Sequence, residues 1–195
     1  MNRPNSYLLV MVVLLMLVLT SPIKSSWAAG RDINQEKDEI RRMVQNTLSH
    51  FYSLNPSAKD AVSKAAGYAV FSNFGMKIFF AGGGKGKGMV VDNKTGKETF
   101  MRMLEVQAGI GFGAKKFKLV WVFETSKALN DFIKKGWEFG GQTTVAAKKG
   151  NEGEAFAGAM SIAPGVWLYQ ITDTGLAAEL TAKGTKYYKD KDLNK

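Results

Sequence analysis

The sequence predicts an α+β domain: a strongly curved, barrel-like antiparallel sheet with an N-terminal amphipathic helix packed on it and one further helix. Three observations carry that expectation. Apolar residues over 33–54 recur at helical spacing, the pattern changes to period two from Tyr68 onward, and turn signatures cut the remainder into short strands. Strands at such regular spacing suit one twisted sheet curled toward a barrel. No linker, second domain or long low-complexity tract interrupts them.

Residues 1–28 read as a signal peptide. Arg3 gives a positive start, Tyr7 to Thr20 is a nearly unbroken apolar run, and Ser26-Trp27-Ala28 puts small residues where a signal peptidase reads. The run of about 14 residues falls short of the roughly 20 that cross a bilayer as a helix. Cleavage is therefore expected between Ala28 and Ala29, leaving a periplasmic or extracellular chain. Residues 29–195 are expected to form a single domain, helical over 31–66 and β-rich over 67–195. The sequence contains no cysteine, which excludes disulfides, thiol catalysis, cysteine-ligated metals and a lipid-modified cysteine.

In the helix expected over 33–54, Ile33, Ile40, Met43, Val44, Thr47, Leu48, Phe51 and Tyr52 form a wide apolar stripe. Such a helix either docks on a core or lies on a membrane surface. Docking is favoured, because Arg31, Lys37, Arg41 and Arg42 are balanced by Asp32, Glu36, Asp38 and Glu39, and a neutral polar face is not drawn to anionic lipid. Asn55-Pro56 stops it, and Pro56 suits the first turn of a second, short helix that runs to about Ala66 and closes at Gly67. A third helix is expected after Thr125 or Ser126 as cap. Leu129, Phe132 and Ile133 form its stripe, Lys134 and Lys135 its last turn, and Gly136 its end.

Strands are expected at Tyr68 to Phe71, Lys77 to Phe80, along the alternation from Phe100 to Gly113, and at Phe117 to Phe123. They resume at Trp137 to Ala147, Ala155 to Ala163, Val166 to Thr172 and Gly175 to Lys183. Asn93-Lys94-Thr95-Gly96, Asn151-Glu152-Gly153, Pro164-Gly165 and Asp173-Thr174-Gly175 are the expected turns. In the long alternation Phe100, Leu104 and Val106 share one face with Arg102 as the polar intruder, and Met101, Met103 and Glu105 share the other.

The stretch Ala81-Gly82-Gly83-Gly84-Lys85-Gly86-Lys87-Gly88 invites a phosphate-loop reading, which fails on two counts. Gly83 and Gly88 have the spacing, but Met89 follows where lysine should stand, and the next residues are strand-like rather than helical. As a strand, the stretch puts Gly84, Gly86 and Gly88 on one face and Lys85 and Lys87 on the other. Gly109, Gly111 and Gly113 repeat the device. A bare face admits a closely packed partner, and the 33–54 helix is the expected one.

The full chain carries 27 basic against 17 acidic residues, and residues 76–118 hold nine of the former and three of the latter. Within that segment Lys85 and Lys87, with the run Lys115, Lys116 and Lys118, have two readings. They are a solvated edge that discourages aggregation, or an anion patch for phospholipid headgroups or another polyanion.

Catalytic constellations are lacking. His50 is the one histidine and reads as a packing residue of the amphipathic helix. No Gly-x-Ser-x-Gly elbow exists, and one histidine without cysteine assembles no ordinary zinc site. Glu152 with Glu154 and Asp190 with Asp192 fall in loop or tail segments, where solvation explains them. The reading is of a protein that is not an enzyme, uses no metal or cofactor and binds no nucleic acid.

Three runs resemble one family. "AAGYAVFSNFGMKIFFAGGGKGKGMVVDNKTGKETFMRM", "VFETSKALNDFIKKGWEFGGQTTVAAK" and "GVWLYQITDTGLAAELTAKGTKYYKD" are similar, in that order, to the SYLF domain in its secreted bacterial branch. The likeness extends from about Ala58 to Leu193 and includes Ala66-Gly67-Tyr68, the glycine-rich strand, the Trp137–Gly141 run and Tyr187-Tyr188. The resemblance implies binding to phosphoinositides and other anionic lipids, and in eukaryotic members links to actin and membrane trafficking. It implies lipid-headgroup contacts at Lys85, Lys87, Lys115, Lys116 and Lys118. The expected function is reversible binding of anionic phospholipid through a basic face. The alternative is a cell-envelope structural or interaction protein that binds a polyanion or a protein partner.

Overall fold

The computed structural model describes residues 32–78, 81–108, 113–139, 148–149, 156–176 and 185–195, with side chains left aside at 74–78, 81–82, 106–108, 113–115, 139 and 148–149. The expected signal peptide, the turn at 151–153, Gly109, Gly111 and the greater part of the strands foreseen to Ala147 and Lys183 lie outside the described residues. Asp32–Lys195 forms one compact unit.

Helix α1 spans Ile33–Leu54, the bounds its apolar periodicity predicts. Asp32 caps it, its carboxylate accepting the Asn34 backbone N–H at 2.9 Å, which satisfies one of the donors orphaned in a first turn. Ile40, Val44, Thr47 and Phe51 are buried, while Ile33 at the end of the stripe stays exposed. Helix α2 (Ala58–Lys64) is shorter than expected. Gly67 does not cap it. The carboxamide of Asn93 does, donating to the carbonyls of Val62 (2.7 Å) and Ala65 (2.9 Å) from a turn far along the chain. Gly67 instead opens the first strand, where an added Cβ would stand 2.8 Å from the Leu129 side chain. Helix α3 (Ser126–Lys135) follows the prediction: Thr125 Oγ1 accepts the Ala128 N–H at 3.2 Å, and Gly136 ends it at φ +71°.

The strands are β1 (Gly67–Ile78), β2 (Ala81–Asp92), β3 (Glu98–Ala108), β4 (Gly113–Phe123), β5 (Trp137–Phe139), β6 (Lys148–Lys149), β7 (Met160–Ala163), β8 (Val166–Thr172), β9 (Gly175–Leu176) and β10 (Thr185–Lys189). They pair antiparallel in the order β5-β10-β3-β2-β1-β4-β8-β7-β6, with β9 on β8, in a curled half-barrel. The two segments foreseen within residues 68–80 are parts of the single strand β1, paired along its length with β2 and β4. The segment before Met160 forms a turn at 156–158 rather than the start of a strand. Strand β10 is one that periodicity did not announce; it enters between β3 and β5.

Both faces of the central strands are buried. On the inner face Phe71, Met101, Met103, Leu119, Trp121, Phe123, Leu168 and Tyr187 pack beneath α3 through Leu129 and Phe132. Trp121 is the hub, with ring centroids 5.2 Å from Phe132 and 5.2 Å from Tyr187. On the outer face Val70, Met89, Phe100, Val120, Val122, Trp167 and Tyr169 meet α1 and α2. Phe51 anchors α1 there, 4.5 Å ring to ring from Tyr169. An aromatic pair of this kind adds about 0.5–1.5 kcal/mol beyond the area it buries.

The helix expected on the glycine face is therefore on the lysine face. Gly84, Gly86 and Gly88 point inward and make room for side chains of the flanking strands. A Cβ at Gly88 would collide with the Phe71 ring, and one at Gly86 would stand 3.1 Å from the Met103 Cβ. The outer face of the same strands supplies Val70 and Met89, the apolar floor an amphipathic helix needs, so α1 docks there.

Two substitutions test this packing by urea denaturation. Phe51→Ala is expected to cost about 3–5 kcal/mol, as truncation of a buried aromatic does. Gly88→Ala is expected to cost about 1–3 kcal/mol by overpacking the inner face. A Gly88→Ala protein as stable as the parent would show that the bare strand is not used for packing.

A basic outer face beside helix α1

The lysines come together through strand register. Lys85 on β2 and Lys116 on β4 both oppose Phe74 of β1, from its two sides, and Lys87 and Lys118 both oppose Ser72. Adjacent strands lie about 4.8 Å apart, so the backbones of Lys85 and Lys116 are separated by about 10 Å across one intervening strand. Lys87 and Lys118 form a second row, two residues along. Lys87 meets α1, and Lys118 shares the parity of outer-face Val120 and Val122, so both rows belong to the outer face. The backbone of Lys115 pairs with Gly75, and its side chain lies outside the described residues.

These lysines differ in their surroundings. Lys85 is exposed. Lys87 is half-buried and ion-paired with Glu36 of α1. The same Glu36 oxygen lies 3.2 Å from Arg102, the polar intruder on β3. Arg102 in turn pairs with Asp190, whose other oxygen accepts the backbone N–H groups of Asp192 (2.9 Å) and Leu193 (3.0 Å). Asn194 closes the arrangement by donating to the Phe100 carbonyl at 2.7 Å. Glu36 and Asp190 are nearly buried, so each needs the partners it has, because an unpaired buried charge is costly. This network ties the first turns of α1 and the C-terminal segment to β2 and β3.

Lys116 and Lys118 instead line an open groove of about 460 Å³ between the second half of α1, β1, β4 and the end of β8, together with His50, Ser72, Thr172 and Asp173. His50 is exposed, contrary to the packing role expected of it. The helix turns its apolar stripe at 44, 47 and 51 to the sheet, which leaves position 50 on the flank. A second cationic hollow of about 440 Å³ lies at the other end of α1, where Lys37, Lys97 and Lys189 gather near Phe100. Arg41 in that hollow is bonded to Glu98 at 2.8 Å and to Asp38 at 2.8 Å, and its guanidinium lies 5.4 Å from the Phe100 ring centre.

The inner face carries a polar group that the sequence did not single out. Glu105, fully buried on β3, opposes Gly84 of β2 and Thr185 of β10 and receives a hydrogen bond from the Asn73 carboxamide. A Cβ at Gly84 would stand 2.8 Å from Asn73 Oδ1 and 3.1 Å from the Glu105 carboxylate, so glycine leaves the space this pair occupies. Nearby, burial drives the Tyr187 phenol far above its ordinary value, which keeps it neutral. Among the described residues no three histidines, aspartates or glutamates gather as metal ligands would. Nor is any described helix long and apolar enough to cross a membrane.

An α+β domain with one curled antiparallel sheet, covered by helices on both faces and flanked by cationic hollows, is the class that these features define. Residues 104–195 match the family model described as "Ysc84: Las17-binding protein actin regulator". The chain is also 33% identical over 154 residues to a curated relative, Beta cell expansion factor A of Aeromonas veronii, an alignment that takes in 79% of this chain and 57% of the relative. Over its C-terminal part the chain is thus similar to the SYLF (Ysc84) family of binding and regulatory domains, and it spans somewhat more than half the length of that relative.

The ion-pair network makes a pH-dependent prediction. Burial alone would raise the Asp190 carboxyl, but the Leu193 amide, the Arg102 guanidinium and the Asp192 amide outweigh it and hold it below the usual carboxylate value. A lowered folded value contributes stability that is present above the unfolded value of about 3.9 and lost as pH falls through the folded one. Asp190→Asn is therefore expected to be less stable than the parent at neutral pH, with the gap in urea midpoint narrowing toward about pH 3. A gap that stays constant with pH would remove Asp190 from this role.

Proposed function

We propose that the protein binds anionic phospholipid reversibly through its outer basic face. The observation that carries this reading is the register that sets Lys85, Lys116 and Lys118 on one face beside α1, with a groove of about 460 Å³ at Lys116 and Lys118. Each lysine close to an anionic surface contributes on the order of 1 kcal/mol, so three give attachment that is useful yet reversible. Lys87 has a different part. Its pairing with Glu36 holds α1 against the sheet, and it contributes to lipid binding by keeping the neighbouring lysines in place. Lys115 precedes Lys116 in the basic run of the sequence. The fitting location is the periplasm or the extracellular space, after loss of residues 1–28, where the leaflet surface is the partner. The likeness to that family supports the class of partner without naming the lipid.

Co-sedimentation of the full chain with vesicles tests this. The quantity to follow is the excess binding to phosphatidylglycerol vesicles over phosphatidylcholine vesicles, so that any contribution of the apolar segment at 7–20 cancels. That excess is expected to fall as salt is raised and to vanish in the triple variant Lys85→Gln, Lys116→Gln, Lys118→Gln. Lys87→Gln is expected to lower the urea midpoint more than it lowers vesicle binding. No excess for anionic vesicles, or an excess unchanged in the triple variant, would defeat the proposal.

A further inference from the structure

Two large apolar side chains that face solvent, Leu104 and Tyr188, stand on adjacent strands of the sheet, 37% and 44% exposed. Leu104 of β3 is directly opposite Lys85 of β2 on one side and Lys186 of β10 on the other, and Tyr188 of β10 is opposite Arg102 of β3. Residues opposite each other in an antiparallel pair point to the same side, as do residues two apart on one strand. Arg102 meets Glu36 of α1, so all of these positions belong to the outer face. Leu104 and Tyr188 are diagonal neighbours there, a separation that long and aromatic side chains bridge.

A single exposed leucine or tyrosine is ordinary. This pair differs because it continues the lysine row. The register joins Lys116, Lys85, Leu104, Lys186 and Glu138 in one line across the sheet from β4 to β5, with β1 between the first two. At about 4.8 Å per strand, Lys116 and Lys186 are about 19 Å apart, with Leu104 between Lys85 and Lys186. The cations of this region are not equal. Lys87 and Arg102 are held by Glu36 and Asp190. Lys186 lies 3.2 Å from Glu138 in an exposed pair that parts readily. Lys85 is exposed, and among the described residues no carboxylate pairs with it.

We propose that Leu104 and Tyr188 enter the interfacial layer of an anionic bilayer while Lys85 and Lys186, one on each side of Leu104, reach its phosphates. This rests on the lipid-binding reading given above and specifies how the protein meets the membrane. The patch is continuous with that surface, since Lys85 belongs to both. Its chemistry suits the headgroup level: a tyrosine presents an apolar body and a polar tip, and a lysine lays its stem along apolar surface while its ammonium stays among phosphates. A soluble phosphate would use the lysines and leave Leu104 and Tyr188 in water. A second copy of the chain, set face to face on this patch, would bring two lysines against two with one carboxylate from each copy, which opposes pairing. The lysines thus draw the chain to the surface, and the apolar pair slows its departure.

The double variant Leu104→Thr, Tyr188→Thr keeps β-branched residues at two exposed strand positions, so it is expected to fold with the parent's urea midpoint. Its affinity for phosphatidylglycerol vesicles is expected to be about tenfold lower, from the lost burial of two large side chains, and its salt dependence unchanged, because no charge is altered. Parent and variant share residues 1–28, so the difference belongs to the patch.

A second readout is local. The chain has no cysteine, so Leu104→Cys offers a single attachment point for an environment-sensitive fluorophore, and Lys94→Cys, in the exposed turn between β2 and β3, is the control. Phosphatidylglycerol vesicles are expected to shift the emission of the label at 104 to the blue and to leave the label at 94 unshifted. A double variant that binds these vesicles as the parent does, or a label at 104 that vesicles do not shift, overturns the proposal. So does a label at 104 that shifts as protein concentration is raised without lipid, which would assign the patch to a second copy. If anionic binding depends on Lys85, Lys116 and Lys118 while positions 104 and 188 are indifferent, insertion falls and the lipid-binding reading stands. If anionic vesicles attract no excess of protein at all, both fall together.

Discussion

Strand β4 presents Phe117, Leu119, Trp121 and Phe123 to one side and Val120 and Val122 to the other, and its neighbours β1 and β8 repeat this two-sidedness. A sheet apolar on both faces has to be covered twice. The inner cover is α3 together with the curl of the sheet itself, which brings Tyr187 of β10 against Trp121 of β4. The outer cover is α1 and α2. Curvature and helices therefore answer one requirement, and the glycines of β2 serve it by letting Phe71 and the Asn73–Glu105 pair sink into the concave side.

The charge distribution follows from the same requirement. Residues that alternate with inward-facing positions must face outward, so Lys85, Lys87, Arg102, Lys116 and Lys118 share their face with α1. Where the helix lies over them, Glu36 and Asp190 together neutralise Lys87 and Arg102. Where it does not, Lys85, Lys116 and Lys118 remain at the open edge or in a groove. The helix thus divides one basic face into a part used for packing and a part turned to the surroundings.

A good deal of this was legible in the residues alone. The bounds of α1, the cap and end of α3, the turns at 93–96, 164–165 and 173–175, and the alternation of glycine with lysine on β2 are all local patterns, and local patterns are what a sequence displays directly. What stayed hidden depends on residues far apart in the chain. Parity says which residues share a strand face but not which face a helix will cover, so α1 was expected over the glycines rather than the lysines. Asn93 ends α2 from a distant turn, which left Gly67 looking like the natural stop. Strand β10 is five residues in which lysines flank two adjacent tyrosines, and its place is fixed by pairing with β3. His50 was misread for a subtler reason: the stripe that buries Thr47 and Phe51 leaves its near neighbour on the rim, a difference of about 100° around the helix axis that adjacency in sequence conceals.

The position of β10 has a consequence for how the chain reaches this state. It follows every other described strand in chain order, yet it is not at a border of the sheet, because β5 pairs with its far side. A ribosome delivers β1 to β3 as a meander and then β4, which returns to the far side of β1, but β3 waits with one row of amides and carbonyls unmatched until residues 185–189 have emerged. During synthesis that row is open to any extended segment nearby. Tyr187, arriving last, both fills the slot and completes the aromatic cluster around Trp121, so closure of the sheet and consolidation of the inner core become a single late event.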